Sequence, residues 1–141
     1  MEIERFMKNI EIINAIKVLE KYADMKLPQK IIYAISRNMK FLNDEYKVYQ
    51  ESLGKLFKNY NDYAEKDDKG KIKFDPNSGF PVLIGEKDGE FKEELAELLN
   101  IDVEVKKYTI NPEIFDYDDA GKYQLLTVHD INVLTNILCD E

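Results

Sequence analysis

Apolar residues recur along most of this chain at helical spacing, and short stretches switch to strict alternation. From about Glu4 to Ala23, Ile12, Ile16, Leu19 and Ala23 step by four, three and four, with Ile10 and Ile13 widening the face. That pattern predicts an amphipathic helix. A short connection, Asp24 to Leu27, leads to Pro28. Proline suits the first turn of a helix, where its missing N–H would have no partner.

The next segment carries the longest pattern. From Pro28 to about Glu65, Ile32, Ile35, Met39, Leu42, Tyr46, Tyr49, Leu53, Leu56, Tyr60 and Tyr63 alternate steps of three and four. This is an a/d seam of the coiled-coil kind, kept over more than four heptads. A second stripe of Tyr33, Phe41 and Phe57 widens it. The expected arrangement is a long helix paired with the first one as an antiparallel hairpin. At 1.5 Å per residue the long helix is about 55 Å, against a diameter of roughly 37 Å for a compact domain of this size. It must therefore protrude, break or gain a partner, and Gly54 is the expected bend.

Turn chemistry follows at Lys66–Lys71 and again at Asp75–Gly79. Ile72–Phe74 and Pro81–Ile84 read as short strands, with Glu86–Gly89 closing the second. Phe91, Leu95, Leu98 and Leu99 mark a helix from Glu90 to Asn100. Ile101 to Val105 alternates and predicts a half-buried strand, paired with Val82–Ile84 and Ile72–Phe74. Asn111-Pro112-Glu113 opens a loop or single turn. Thr127, with Asp130 three positions on, opens a last helix whose apolar face is Val128, Ile131, Leu134 and Leu138. The expected fold class is α+β, mainly helical: a long helical hairpin over about 4–65, then a small two- to three-stranded sheet and two shorter helices over about 66–141, in a single domain.

Charge and composition narrow the function classes. Twenty basic against 28 acidic residues leave a net charge of −8. A negative surface repels phosphate, so direct nucleic-acid binding is unfavourable, while a basic protein partner is attracted. Cys139 is the only cysteine, which excludes an intramolecular disulfide and fits a reducing compartment. Met1-Glu2-Ile3-Glu4-Arg5 lacks the basic start and apolar run of a signal peptide, and no apolar stretch reaches membrane-spanning length, so a cytoplasmic location without membrane partners is expected.

Candidate chemistry is sparse. One histidine, His129, and one cysteine cannot supply a cysteine/histidine zinc site or a nucleophile–base pair close in sequence. Gly79, Gly85 and Gly89 match no phosphate-loop spacing. Asp67-Asp68-Lys69-Gly70 lacks the alternating ligands of a calcium loop. No cofactor or metal is expected, and no enzymatic activity. Asp116, Asp118 and Asp119 form an acidic loop that reads either as a solvated surface or as a contact for a basic partner. Tyr46, Tyr49, Tyr60 and Tyr63 occupy seam positions. They read either as intramolecular packing with exposed hydroxyls or as an interaction surface for another protein, a homo-oligomer included.

Several pieces, in this order, resemble a family of small uncharacterised proteins from phages and prophages of Gram-positive bacteria. They are Leu27-Pro28 with Ile32-Tyr33-Ala34-Ile35 and Asn38, Tyr46 with Tyr49-Gln50-Glu51, Tyr63 to Asp67 with Gly70, Phe91 to Leu95 with Glu97 to Asn100, and Val103-Glu104-Val105. The insert Asp75–Glu86 and the tail after Asn111 depart from that pattern. The resemblance implies a phage protein working in a bacterial host cytoplasm and carries no catalytic residues. The function expected is a non-enzymatic binding protein, such as an inhibitor of a host or defence protein. The alternative is a phage assembly accessory of the tail-chaperone or scaffold kind.

Overall fold

The computed structural model describes residues 1–118 and 121–140. Strand β1 (Glu2–Lys8) leads into helix α1 (Asn9–Glu20), long helix α2 (Gln29–Tyr60), helix α3 (Lys87–Leu99), strand β2 (Asp102–Tyr108) and helix α4 (Val128–Leu138). Single 3-10 turns occupy Asn61–Tyr63 and Pro112–Phe115. The class is therefore α+β and mainly helical, with one long helix and a two-stranded antiparallel sheet. The chain divides into two compact units, 1–47 with 102–141, and 48–101.

In the first unit the N-terminal segment overturns one expectation. Glu4 to Lys8 is strand, and α1 starts only at Asn9. β1 pairs antiparallel with β2, placing Glu2 opposite Tyr108, Glu4 opposite Lys106, Phe6 opposite Glu104 and Lys8 opposite Asp102. The partners expected for β2, Val82–Ile84 and Ile72–Phe74, lie in the other unit and pair among themselves. The core of this unit joins Ile12, Ile16 and Leu19 of α1, Ile31, Ile35 and Leu42 of α2, Val105 of β2, and Leu134 and Leu138 of α4. Each helix thus turns one stripe inward, and the burial of those stripes holds the element order together.

Several polar groups fasten this unit. Thr127 caps α4, its hydroxyl accepting from the Asp130 N–H while the Asp130 carboxylate accepts from the Thr127 N–H, both at 3.1 Å. This is the reciprocal cap that the sequence signals. Val128, expected on the inner face of that helix, is 77% exposed. The buried Lys107 reaches the C-terminal end of α4 and donates to the Cys139 carbonyl at 2.6 Å, where the helix carries partial negative charge. Lys26 and Gln124 exchange two hydrogen bonds and tie the turn after α1 to the segment before α4.

Pro28 stands just ahead of α2, its carbonyl accepting from Ile31 and Ile32. α2 then continues through Gly54 to Tyr60 as one unbroken element. Ile35, Leu42, Tyr49 and Leu56, spaced by sevens, are its buried seam positions, while the residues three or four away are mostly half-buried. Leu53, Leu56, Phe57 and Tyr60 belong to the second unit, whose core also holds Ala64, Leu83, Phe91 and Leu95. Phe91 stacks on Phe57 at 5.4 Å and meets Tyr60 and Phe80 edge-on at 5.6 and 5.9 Å. Helix α3 begins at Lys87, ahead of the expected Glu90, so the Glu86–Gly89 stretch is largely helical. Three extended segments around Ala64–Lys66, Ile72–Phe74 and Pro81–Leu83 are bridged in all three pairings. Rolling up in this way leaves no long strand edge, and Gly70 and Gly79, both at positive φ, make the two tight turns it needs.

Candidate interaction surfaces

The four seam tyrosines have different fates. Tyr49 is buried, at 7% exposure. Tyr46 is half-buried against the first unit's core. Tyr60 turns its ring into the Phe91 cluster and donates its hydroxyl to the Glu94 carboxylate. That hydrogen bond, with the surrounding negative charge, pushes the Tyr60 phenol up to about 12. Tyr63 alone of the four is exposed, at 41%. The structure therefore divides the seam between the units, with Tyr46 in the first and Tyr49, Tyr60 and Tyr63 in the second.

Tyr63 sits where the chain leaves its 3-10 turn. Its carbonyl accepts from the Ile84 N–H at 2.8 Å, which holds it opposite Ile84, itself 55% exposed. The Lys87 ammonium lies 4.6 Å from the centre of the Tyr63 ring. A cation over the ring face fixes the ring's orientation at little entropic cost to a binding partner. The result is an exposed aromatic ring with an aliphatic neighbour and, over its face, a lysine that also pairs with the Glu90 carboxylate at 3.1 Å.

Asp116 and Asp118 are exposed, and Asp119 lies outside the described residues. Tyr117 between them turns back, donating to the Gln124 carbonyl and meeting Tyr123 edge-on at 5.8 Å. The loop is thus anchored through its aromatic residue. Among the described residues, no group of three histidine, cysteine, aspartate or glutamate side chains is placed to hold a metal ion. His129 is exposed. The Cys139 thiol is buried and its pKa is pushed up by that burial. No helix among them is long and apolar enough to cross a membrane.

The sheet offers a second surface that sequence reasoning missed. Its outer face carries Glu2, Glu4, Phe6 and Lys8 from β1 and Glu104 and Lys106 from β2, with Phe6 72% exposed. Glu104 lies within hydrogen-bonding reach of Glu4, and that contact, with the like charge beside it, raises the Glu104 pKa. Beside them an open groove of about 480 Å³ is completed by Lys40, Phe41, Asp44 and Glu45 of α2. The groove mixes both signs of charge. The missed signal was the alternation of Ile3, Arg5 and Met7 against Glu2, Glu4 and Phe6, disguised because an arginine faces inward and a phenylalanine outward.

The chain matches no family model, and neither a curated protein nor a solved structure matches it.

Proposed function

We propose that this chain is a non-enzymatic, phage-encoded binding protein that works in the bacterial host cytoplasm by occupying a host protein, such as a component of a defence system. The single observation that carries the reading is Tyr63, an exposed aromatic ring held by Lys87 next to the exposed Ile84. Tyrosine with an aliphatic neighbour is the usual composition of an interface anchor. The net charge of −8 directs the contact toward a basic partner surface. The phage origin rests on the ordered resemblance of the pieces between Leu27 and Ile110.

The test is affinity capture from a bacterial host lysate with the parent protein and with Tyr63→Ala, followed by identification and direct titration of the captured protein. Loss of an interface anchor weakens such binding roughly thirtyfold, equivalent to about 2 kcal/mol. A captured partner that binds Tyr63→Ala as tightly as the parent overturns the reading. The second reading, a phage assembly accessory, is favoured by the 32-residue α2 with its seven-residue burial period. A gene neighbourhood of morphogenesis genes supports it, and an accessory cluster supports inhibition.

A further inference from the structure

The edge of β1 has a specific geometry. Tyr108 directs both its N–H and its C=O to the Asn38 side chain, away from β1. The Glu2–Tyr108 pair is therefore one of the pairs that exchange no backbone bonds. Antiparallel pairs alternate, so Glu4–Lys106 and Phe6–Glu104 are of the same kind. The N–H and C=O groups of Glu4 and Phe6 point outward from the sheet, and no described residue meets them. β2 has its outer edge met by α2 at Asn38, and the second unit rolls its strands up. β1 is left as an open strand edge bearing an exposed phenylalanine, an arrangement proteins seldom leave uncovered.

We propose that β1 is the self-association edge of this protein, pairing antiparallel with β1 of a second copy so that Phe6 faces Phe6 and Glu4 faces Lys8. The register follows from elimination. Outward groups must face outward groups, so the two residue numbers of each facing pair add to an even total. A total of 8 sets Glu4 against Glu4. A total of 10 sets the half-buried Arg5 against Arg5, and like charges directly opposite are destabilising. A total of 14 has neither fault but overlaps only residues 6–8, so a total of 12, which overlaps residues 4–8, is the longest register free of both. Its centre is Phe6 against Phe6, which exchange both backbone bonds, and Arg5 faces Met7.

Charge complementarity extends this register across the whole sheet. Lys106 stands opposite Glu4, and Asp102 opposite Lys8. Joining two copies with Glu4 beside Lys8 creates the row Lys106, Glu4, Lys8, Asp102, which alternates in sign across four strands. The two-fold axis repeats the row on the other side of the phenylalanine pair. A second copy is therefore the occupant whose charges the edge already matches.

The experiment is sedimentation equilibrium on the full chain, from micromolar to near-millimolar concentration, with circular dichroism to confirm folding. The parent is expected to dimerise. Phe6→Ala, a change at an exposed side chain, should weaken the dimer roughly thirtyfold. Glu4→Lys alone and Lys8→Glu alone should each be monomeric, because each sets like charges opposite across the joint. An equimolar mixture of those two variants should dimerise again, since every facing pair is then of opposite charge. Tyr63→Ala should leave the dimer intact, which separates this proposal from the host-protein contact above. A parent that stays monomeric, a dimer indifferent to Phe6→Ala, or folded charge variants that do not recover on mixing would each overturn it. Should a different protein alone bind at Phe6, the parent stays monomeric and the proposal fails by that same measurement.

Discussion

The side-chain amide of Asn38 serves Tyr108 as a neighbouring strand would: its oxygen accepts the Tyr108 N–H at 3.1 Å and its nitrogen donates to the Tyr108 C=O at 2.8 Å. Asn38 is 1% exposed, and its two bonds to Tyr108 are part-buried. Its amide nitrogen also donates to the Ala34 carbonyl one turn earlier in α2. Replacing Asn38 with leucine leaves two part-buried backbone groups without that partner and should cost roughly 2 kcal/mol. Urea denaturation will show this as a lowered midpoint with unchanged slope. A midpoint within experimental error of the parent would show that the strand end does not need α2.

The hydroxyl of Tyr22 donates to the Asp130 carboxylate at 2.7 Å, and this pair sets a pH window. Burial, then the hydrogen bond to Asp130, raises the Tyr22 phenol to about 12. The same hydrogen bond, with the Thr127 N–H, holds the Asp130 carboxyl below its ordinary value. A raised phenol contributes stability below its unfolded pKa of about 10 and loses it as pH climbs toward 12. A lowered carboxyl contributes above its unfolded pKa of about 3.9 and loses it as pH falls through the folded value. Stability should therefore drop on both sides of a broad plateau. Tyr22→Phe should flatten both flanks, measured as urea midpoints from acid to alkaline pH, and an unchanged profile would refute the linkage.

Phe91 is 3% exposed and touches three other rings of the second unit. Phe91→Ala should cost roughly 3–5 kcal/mol, because the rigid rings around it cannot close the cavity. Calorimetry or urea denaturation measures the loss. A cost near 1 kcal/mol would mean that the cluster collapses onto the gap.

Tyr49 and Tyr63 separate packing from recognition. Tyr49→Ala removes a buried ring and should cost about 3 kcal/mol of stability. Tyr63→Ala removes an exposed one and should change stability by no more than about 0.5 kcal/mol. The two thermal unfolding curves decide the matter, and equal shifts would mean that Tyr63 is packed as Tyr49 is.

The sequence alone determined the elements whose information is local. The three-and-four spacing of Ile32, Ile35, Met39 and Leu42 marked α2, Phe91 with Leu95 marked α3, Thr127 with Asp130 marked the start of α4, and alternation marked Val103–Val105 as strand. These follow from periods of 3.6 and 2 and from capping chemistry, which act within a few residues. Only tertiary structure decided that β2 pairs with Glu2–Lys8, about a hundred positions away in sequence, rather than with Val82–Ile84. It alone decided that Tyr49 is buried while Tyr63 faces outward. Strand pairing and burial depend on which surfaces meet after the chain has closed its long loops. The inward Arg5 and outward Phe6 hid the alternation of β1, because their environments are set by α1, β2 and the open edge and not by their neighbours in the chain.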